Sequence, residues 1–223
     1  INKLNKEVNF KANIGFVPTM GSLHNGHISL IKSSKRICKK TLVSIFINPS
    51  QFNKSNDLRN YPRNLKKDIA ILKKLKIDFL LIPNESQIYK RKKDKKIKLN
   101  YKDKILCAKH RPGHFEGVLA VINQFLSKFK PKYIFFGEKD YQQLFLIKKL
   151  IKKRYNTKVY SCLTVRDQNK VALSSRNMLL NKTDIKKSSY VAKLLFKFKN
   201  NLKKNISNKK NLNTIILKLN KIK

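Results

Sequence analysis

Two histidines three residues apart, His24 and His27, follow a short apolar run, Ile14-Gly15-Phe16-Val17, across the segment Pro18-Thr19-Met20-Gly21-Ser22-Leu23. At this i, i+3 spacing both imidazoles share one face of a helix's first turn and can reach one anion together. Gly21 suits the turn, and Gly26 between the histidines lets a bulky ligand approach the backbone. Ile28, Leu30 and Ile31 then read as the start of a helix. A strand that runs into a helix N-terminus offers unpaired N–H groups and the positive end of the helix dipole, which suits phosphate. The pair by itself also fits an ordinary surface pair or a fragment of a metal site.

Four more clusters carry candidate chemistry. In Ser44–Phe52 an apolar run ends at Asn48-Pro49 and Gln51 projects just beyond; its amide can bind a hydroxyl and a carboxylate together, or be a plain loop glutamine. Tyr61 lies in the Asn60-Tyr61-Pro62-Arg63 turn, and Asp68 behind it could help hold Mg²⁺, although a single carboxylate on a helix is far more often a solvated charge. Arg111-Pro112-Gly113-His114 precedes a helix, where Arg111 could orient a carboxylate through its planar fork or the turn could merely cap the helix. Tyr133–Gln143, YIFFGEKDYQQ, is an apolar strand ending at Gly137. Lys139 supplies a compact cation for phosphate oxygens, Asp140 an acceptor for a sugar hydroxyl, and Gln143 an amide one turn into the next helix. Finally, Ser174, Ser175 and Arg176, a short way past Arg166-Asp167, bring two hydroxyls and a guanidinium to one loop, a phosphate clamp.

Positioning these groups takes a particular architecture. Strand-length apolar runs at Asn13–Val17, Leu42–Ile47, Asp78–Ile82, Tyr133–Phe136 and Val159–Val165 alternate with helical periodicity over Ile28–Lys39, Asn64–Leu75, Val118–Phe129 and Gln143–Lys153. Continuous apolar strands between helices predict a Rossmann-like, doubly wound parallel α/β sheet, whose ligands lie at the carboxyl ends of its strands. Every cluster above falls at such an end. Glu85–Asp103, rich in lysine, reads as a solvated loop. We expect a nucleotide-binding domain over 1–165 and a small, mainly helical domain over 166–223. In the second, Thr183-Asp184 starts a helix with Tyr190, Leu194, Leu195, Phe198 and Leu202 as its apolar stripe, and Leu212–Ile222 closes the chain.

Composition narrows the function classes. The formal net charge is +41, yet only eight of the 53 basic residues are arginine. The lysines are spread among abundant Ile and Asn, the signature of AT-rich coding drift rather than of a dedicated nucleic-acid binder with bidentate Arg and interleaved aromatics. No apolar run approaches the roughly 18 residues of a membrane span. Cys38, Cys107 and Cys162 have no CxxC spacing and read as buried, reduced thiols. The N-terminus carries no signal or transit pattern, which points to the cytoplasm.

The HxGH pattern resembles the nucleotidyltransferase superfamily, and the longer phrase GFVPTMGSLHNGH is similar to the opening motif of the pantoate–β-alanine ligases. The likeness continues through SIFINPSQF, NYPR, RPGHFEGV, YIFFGEKDYQQ and ALSSRN, roughly Gly15 to Asn177. It implies adenylation of pantoate by ATP with Mg²⁺, then attack of β-alanine on the adenylate. It implies His24, His27, Lys139 and Arg176 as catalytic residues, with His27 the candidate proton donor. Nucleotide contacts fall to Met20, Gly21, Gly26, Gly137, Glu138 and Asp140, to Val165 and Leu173 on the adenine side, and to Ser174 and Ser175, a loop comparable to the KMSKS loop of class I tRNA synthetases. Substrate contacts fall to Asn48, Gln51, Tyr61, Arg111, His114 and Gln143, with no metal ligands assigned. The family pattern implies a homodimer, and it extends beyond this chain at both ends, with a fuller lid domain after Lys223. A dinucleotide-forming nucleotidyltransferase would share HxGH but not the other motifs, and an RNA-binding module would cluster its lysines on one face.

Overall fold

The computed structural model describes residues 13–95, 97–203 and 209–222. Five strands form one sheet: β1 (Ile14–Thr19), β2 (Lys40–Ile45), β3 (Phe79–Leu81), β4 (Tyr133–Gly137) and β5 (Lys158–Cys162). Their order is β3-β2-β1-β4-β5, and every pairing is parallel. Along β1, Ile14 and Phe16 enter one buried cluster and Val17 the other, because successive side chains of a strand point to opposite faces. Helix α1 (Asn25–Ile37) and, after the short α2 (Ser55–Arg59), α3 (Leu65–Lys74) cover the Val17 face with Leu30, Ile31 and Leu72. Past the short α4 (Glu85–Ile88) and α5 (Cys107–His110), helices α6 (His114–Phe129) and α7 (Tyr141–Arg154) cover the Phe16 face. There Phe125 and Phe129 pack edge-on against Phe16, their centroids 5.3 and 6.2 Å from its own. This is the doubly wound layout that the alternation of strands and helices predicts.

The chain divides into two compact units, Ile1–Thr164 and Val165–Lys223. Residues 1–12, part of the expected first domain, lie outside the described residues, as do Lys96 and residues 204–208. The second unit holds a short hairpin, a 3-10 turn at Ser175–Leu179, and helices α8 (Lys182–Lys203) and α9 (Lys209–Asn220).

Three expectations need correction. Glu85–Asp103 is not a solvated loop throughout: α4 opens with a reciprocal Asn84–Gln87 cap, and Ile88, Tyr89 and Leu99 enter the main core. Charged residues dominate that stretch by number, but its few apolar side chains are the ones the core takes up. Cys107 is exposed, because it starts a four-residue surface helix; Cys38 and Cys162 are buried. On α8, Leu194 and Phe198 of the expected stripe are partly buried, but Tyr190, Leu195 and Leu202 are about half exposed and Ala192 is the buried residue. Phe196, outside that stripe, carries the Arg166 guanidinium over its ring at 5.0 Å, so the covered face only partly coincides with the stripe.

Candidate active site

The strand order reverses between β1 and β4, leaving a crevice at their carboxyl ends where doubly wound sheets bind ligands. The β1 exit is a tight, buried turn. Thr19 Oγ1 donates to Ser44 O at 2.7 Å and accepts from Gly21 N–H at 3.2 Å. Gly21 and Ser22 are both left-handed, with φ of 79° and 51°, a sharp reversal that costs a serine about 1 kcal/mol. Asp68 compensates: its carboxylate accepts from Ser22 N–H at 2.8 Å and Leu23 N–H at 2.7 Å and is almost wholly buried. The sequence reading of Asp68 as a solvated charge is therefore wrong. Asp68 and Leu72 stand one turn apart on the face that α3 packs inward, a spacing that was visible in the sequence.

The turn delivers His24 as the N-cap of α1. His24 Nδ1 accepts from Gly26 N–H at 3.1 Å, and His27 Nδ1 accepts from the His24 N–H at 3.3 Å. The two rings lie 4.1 Å apart, centroid to centroid. Since each Nδ1 is an acceptor, each neutral ring carries its proton on Nε2. Burial, then the neighbouring His24 and Lys139, pushes the His27 pKa down to about 3. Burial, then the Lys139 charge, lowers that of His24. With no anion beside it, so lowered a pKa keeps the His27 ring neutral near neutral pH, with its Nε2–H available as a hydrogen-bond donor.

Across the crevice, β4 ends at Gly137, where an added Cβ would meet nothing within 4 Å. Lys139 reaches Asp140 at 3.4 Å, with side chains 37% and 58% exposed. The parallel pairing of β1 with β4 sets their exits side by side, and the Lys139 charge contributes to lowering both imidazole pKa values. Glu138 shares the same 3-10 turn.

The β2 exit is organised around Asn48, 1% exposed. Its Oδ1 accepts from Tyr89 Oη–H at 2.9 Å and Ser50 N–H at 3.3 Å. Its Nδ2 donates to Gln51 Oε1 and Gly117 O, both at 3.2 Å. Gln51 Nε2 then donates to Met20 Sδ at 2.8 Å, joining this turn to the β1 exit. His114 Nδ1 donates to Gln51 O at 2.7 Å. Gly117 lets α6 close on the same turn, since a Cβ there would collide with the Ser50 carbonyl. Asn48 and His114, expected on the substrate, are thus engaged in holding Gln51. Tyr61 is buried edge-on against Phe52 at 5.7 Å. Arg111 is half-buried at the turn that starts α6, and its carbonyl accepts from His114 N–H at 3.1 Å. Gln143 is half-buried in the first turn of α7, where its neighbour Gln142 donates to the carbonyls of Asp103 and Ile105. A largely apolar cavity of about 340 Å³ opens beside Met20 and Gly21 at the ends of β1–β3.

In the second unit, Val165 and Leu173 face each other across the hairpin, Leu173 N–H donating to Val165 O at 3.0 Å. Ser174 Oγ caps the following turn by accepting from Arg176 N–H at 3.3 Å, and Ser175 is buried. Sequence reasoning missed Tyr89, the packing role of Gly117, and the backbone-holding role of Asp68. The Ile88-Tyr89 pair inside a run of lysines was the available signal for the first of these.

The family profile of Pantoate-beta-alanine ligase matches residues 1–222. A pantothenate synthetase of Francisella tularensis subsp. novicida is 48% identical over 185 residues, 82% of this chain and 70% of that protein. The solved pantoate-beta-alanine ligase of Francisella tularensis, complexed with beta-gamma ATP and β-alanine, superposes with a TM-score of 0.83 at 45% identity, covering 86% of this chain and 75% of that one. Pantothenate synthetase from Thermus thermophilus superposes with a TM-score of 0.92 at 30% identity, covering 98% and 80%. With its sequence motifs, its sheet order and these likenesses in agreement, the chain belongs to the pantoate–β-alanine ligase family.

Proposed function

We propose that the chain joins pantoate to β-alanine in two steps at the β1–β4 crevice. The pantoate carboxylate attacks the α-phosphorus of ATP in line; the new O–P bond forms as the bond to pyrophosphate breaks. The β-alanine amine then attacks the acyl carbon of pantoyl adenylate, and AMP leaves with the electrons of the C–O bond as the amide forms. The first step exists because a carboxylate oxygen is a poor leaving group until it is phosphorylated.

Catalysis of this kind is positioning and charge neutralisation. His24 and His27, fixed through Nδ1 to backbone N–H groups, supply neutral Nε2–H donors for phosphate oxygens. Lys139 adds the cation for the leaving pyrophosphate, and Gly137 leaves room for the nucleoside. Gln51, held by Asn48 and His114, and Gln143 bind pantoate, so an analogue without its hydroxyls leaves buried amides unpaired. Tyr61 and Arg111 belong to the substrate side, and Ser174, Ser175, Arg176, Val165 and Leu173 to the nucleotide, on sequence resemblance alone.

Mg²⁺ would enter as a partner of the nucleotide phosphates. Among the described residues no group of three or more His, Cys, Asp or Glu could hold a metal, and Asp68 is committed to two backbone N–H groups. No step is therefore routed through a protein-bound ion. No helix among the described residues is long and apolar enough to cross a membrane. The reading extends to a homodimer and a cytoplasmic location, neither of which the chemistry requires.

The observation that carries this proposal is the convergence of two neutral, backbone-locked imidazoles with Lys139 at the switch point. Pyrophosphate release from ATP with Mg²⁺ tests it: release should depend on pantoate and accelerate with β-alanine. Release that ignores pantoate in a folded, ATP-binding protein would overturn the substrate assignment.

A further inference from the structure

Tyr89 comes from the lysine-rich stretch between β3 and α6 and is 5% exposed. Burial raises its pKa, so the phenol stays protonated and serves as a donor. Its hydroxyl is hydrogen-bonded to the Ser50 side chain and lies 2.9 Å from Asn48 Oδ1, closer than the 3.3 Å of the Ser50 N–H to the same oxygen.

The direction of these bonds matters. A side-chain amide has nearly the same shape when its oxygen and nitrogen are exchanged, so polarity must be imposed by neighbours. Tyr89 gives a hydrogen to Asn48 Oδ1, adding the shortest of three contacts, with Ser50 N–H and Gly117 O, that turn Asn48 Nδ2 toward Gln51 Oε1 at 3.2 Å. Gln51 is thereby oriented in turn: its oxygen is taken, and its Nε2 is the end left to donate. Among the described residues that end meets the Met20 thioether, a weak acceptor that a substrate oxygen readily outcompetes.

We propose that Tyr89 is a positioning residue that fixes the donor polarity of Gln51 through Asn48 and so tunes the site for an oxygen-rich acid. This rests on the reading that Gln51 binds pantoate. Without the phenol hydroxyl, Asn48 keeps only the two longer contacts to Ser50 N–H and Gly117 O, its hold on Gln51 slackens, and Gln51 samples the exchanged orientation more often, in which its oxygen faces the oxygens of the substrate. Tyr89 bonds to Ser50 and Asn48 and reaches the nucleotide side only through Gln51 and the weakly accepting Met20 thioether, so the effect falls on pantoate rather than on ATP.

The test is steady-state AMP release by wild type, Tyr89→Phe, Gln51→Ala and the double variant, with pantoate and ATP varied in turn. Tyr89→Phe should raise the KM for pantoate about five- to tenfold, with kcat within about twofold and the KM for ATP unchanged. Added to Gln51→Ala it should change nothing further, because the amide it orients is gone. An unchanged pantoate KM, an equal rise in the KM for ATP, or a full additional loss in the Gln51→Ala background would each overturn the proposal, the last two by making Tyr89 a general packing residue. Should Tyr89→Phe fold poorly, Asn48→Asp keeps an acceptor for Tyr89 but cannot donate to Gln51, and must raise the pantoate KM at least as much. If Gln51→Ala itself leaves that KM unchanged while wild type ligates pantoate, the Gln51 reading fails, and the Tyr89 proposal with it.

Discussion

The two loops that meet at the switch point are built in opposite ways. The Thr19–His27 turn is closed by the Thr19 hydroxyl, the buried Asp68 carboxylate and a reciprocal pair of histidine caps. Its working groups are neutral. The Gly137–Asp140 turn has one long ion pair between exposed side chains, and its working group, Lys139, is charged. The division has a physical logic. Neutral donors can be fixed in advance without burying charge, and a preorganised donor needs no rearrangement as the transition state forms. A buried, unpaired ammonium would cost several kcal/mol, so the cation stays in water until an anion arrives to pair with it. One arm of the site stores geometry and the other stores charge.

The largest effects should expose that division. His27→Ala should lower kcat by roughly 10²–10³, as removal of a transition-state donor does, and should also destabilise the fold by about 1 kcal/mol because a helix-terminal hydrogen bond is lost. Lys139→Ala should lower kcat comparably and leave stability within about 0.5 kcal/mol, as for an exposed pair. Single-turnover rates and denaturant melts on both variants separate the cases. Equal destabilisation by the two would erase the contrast.

Asp68 sharpens the comparison at one remove. Asp68→Ala leaves the Ser22 and Leu23 N–H groups buried without their acceptor, a cost of about 2 kcal/mol. The left-handed Ser22 then loses its restraint, and the histidine pair should misalign, with kcat down about tenfold. Asp68→Asn keeps one acceptor oxygen and should fall between wild type and Ala in both measurements. If Asp68→Ala loses stability but keeps full kcat, the turn is set by the histidine caps alone.

The sheet was legible in the sequence because its strands are almost purely apolar and its helices strongly periodic. The site was legible where chemistry and spacing coincide, as at His24 and His27 or Gly137 to Asp140. It was least legible where a residue acts through the backbone of another segment. Asp68 looks like any helix carboxylate until Ser22 and Leu23 lie against it, 46 and 45 residues distant. Tyr89 is hidden in a run whose charge suggests solvent, and its partner Asn48 lies 41 residues away. Asn48 and His114 stood out in the sequence as candidate substrate contacts, but the sequence could not say that their polar atoms face Gln51. Such assignments depend on long-range closure, which no local pattern encodes.

The smallest predicted effect is a pH dependence confined to the neutral arm. The folded pKa of His27 is about 3 against an unfolded value of 6.5, so the unfolded chain binds more protons between those limits. Stability from this group is complete above pH 6.5 and is lost as pH falls from 6.5 toward 3. The slope is at most about 1.4 kcal/mol per pH unit. Because His27 keeps some exposure, a loss of about 1 kcal/mol between pH 6.5 and 5 is the reasonable scale. Urea melts at the two pH values should show wild type losing that much more than His27→Asn, a comparison of slopes that cancels the cap lost in the variant. In Lys139→Ala the slope should shrink only slightly, since burial outweighs the Lys139 charge in lowering His27, while His24 should titrate measurably closer to 6.5 by NMR. A wild-type slope that matches His27→Asn would mean that His27 charges freely in the fold, and the arm that stores geometry would then carry charge as well.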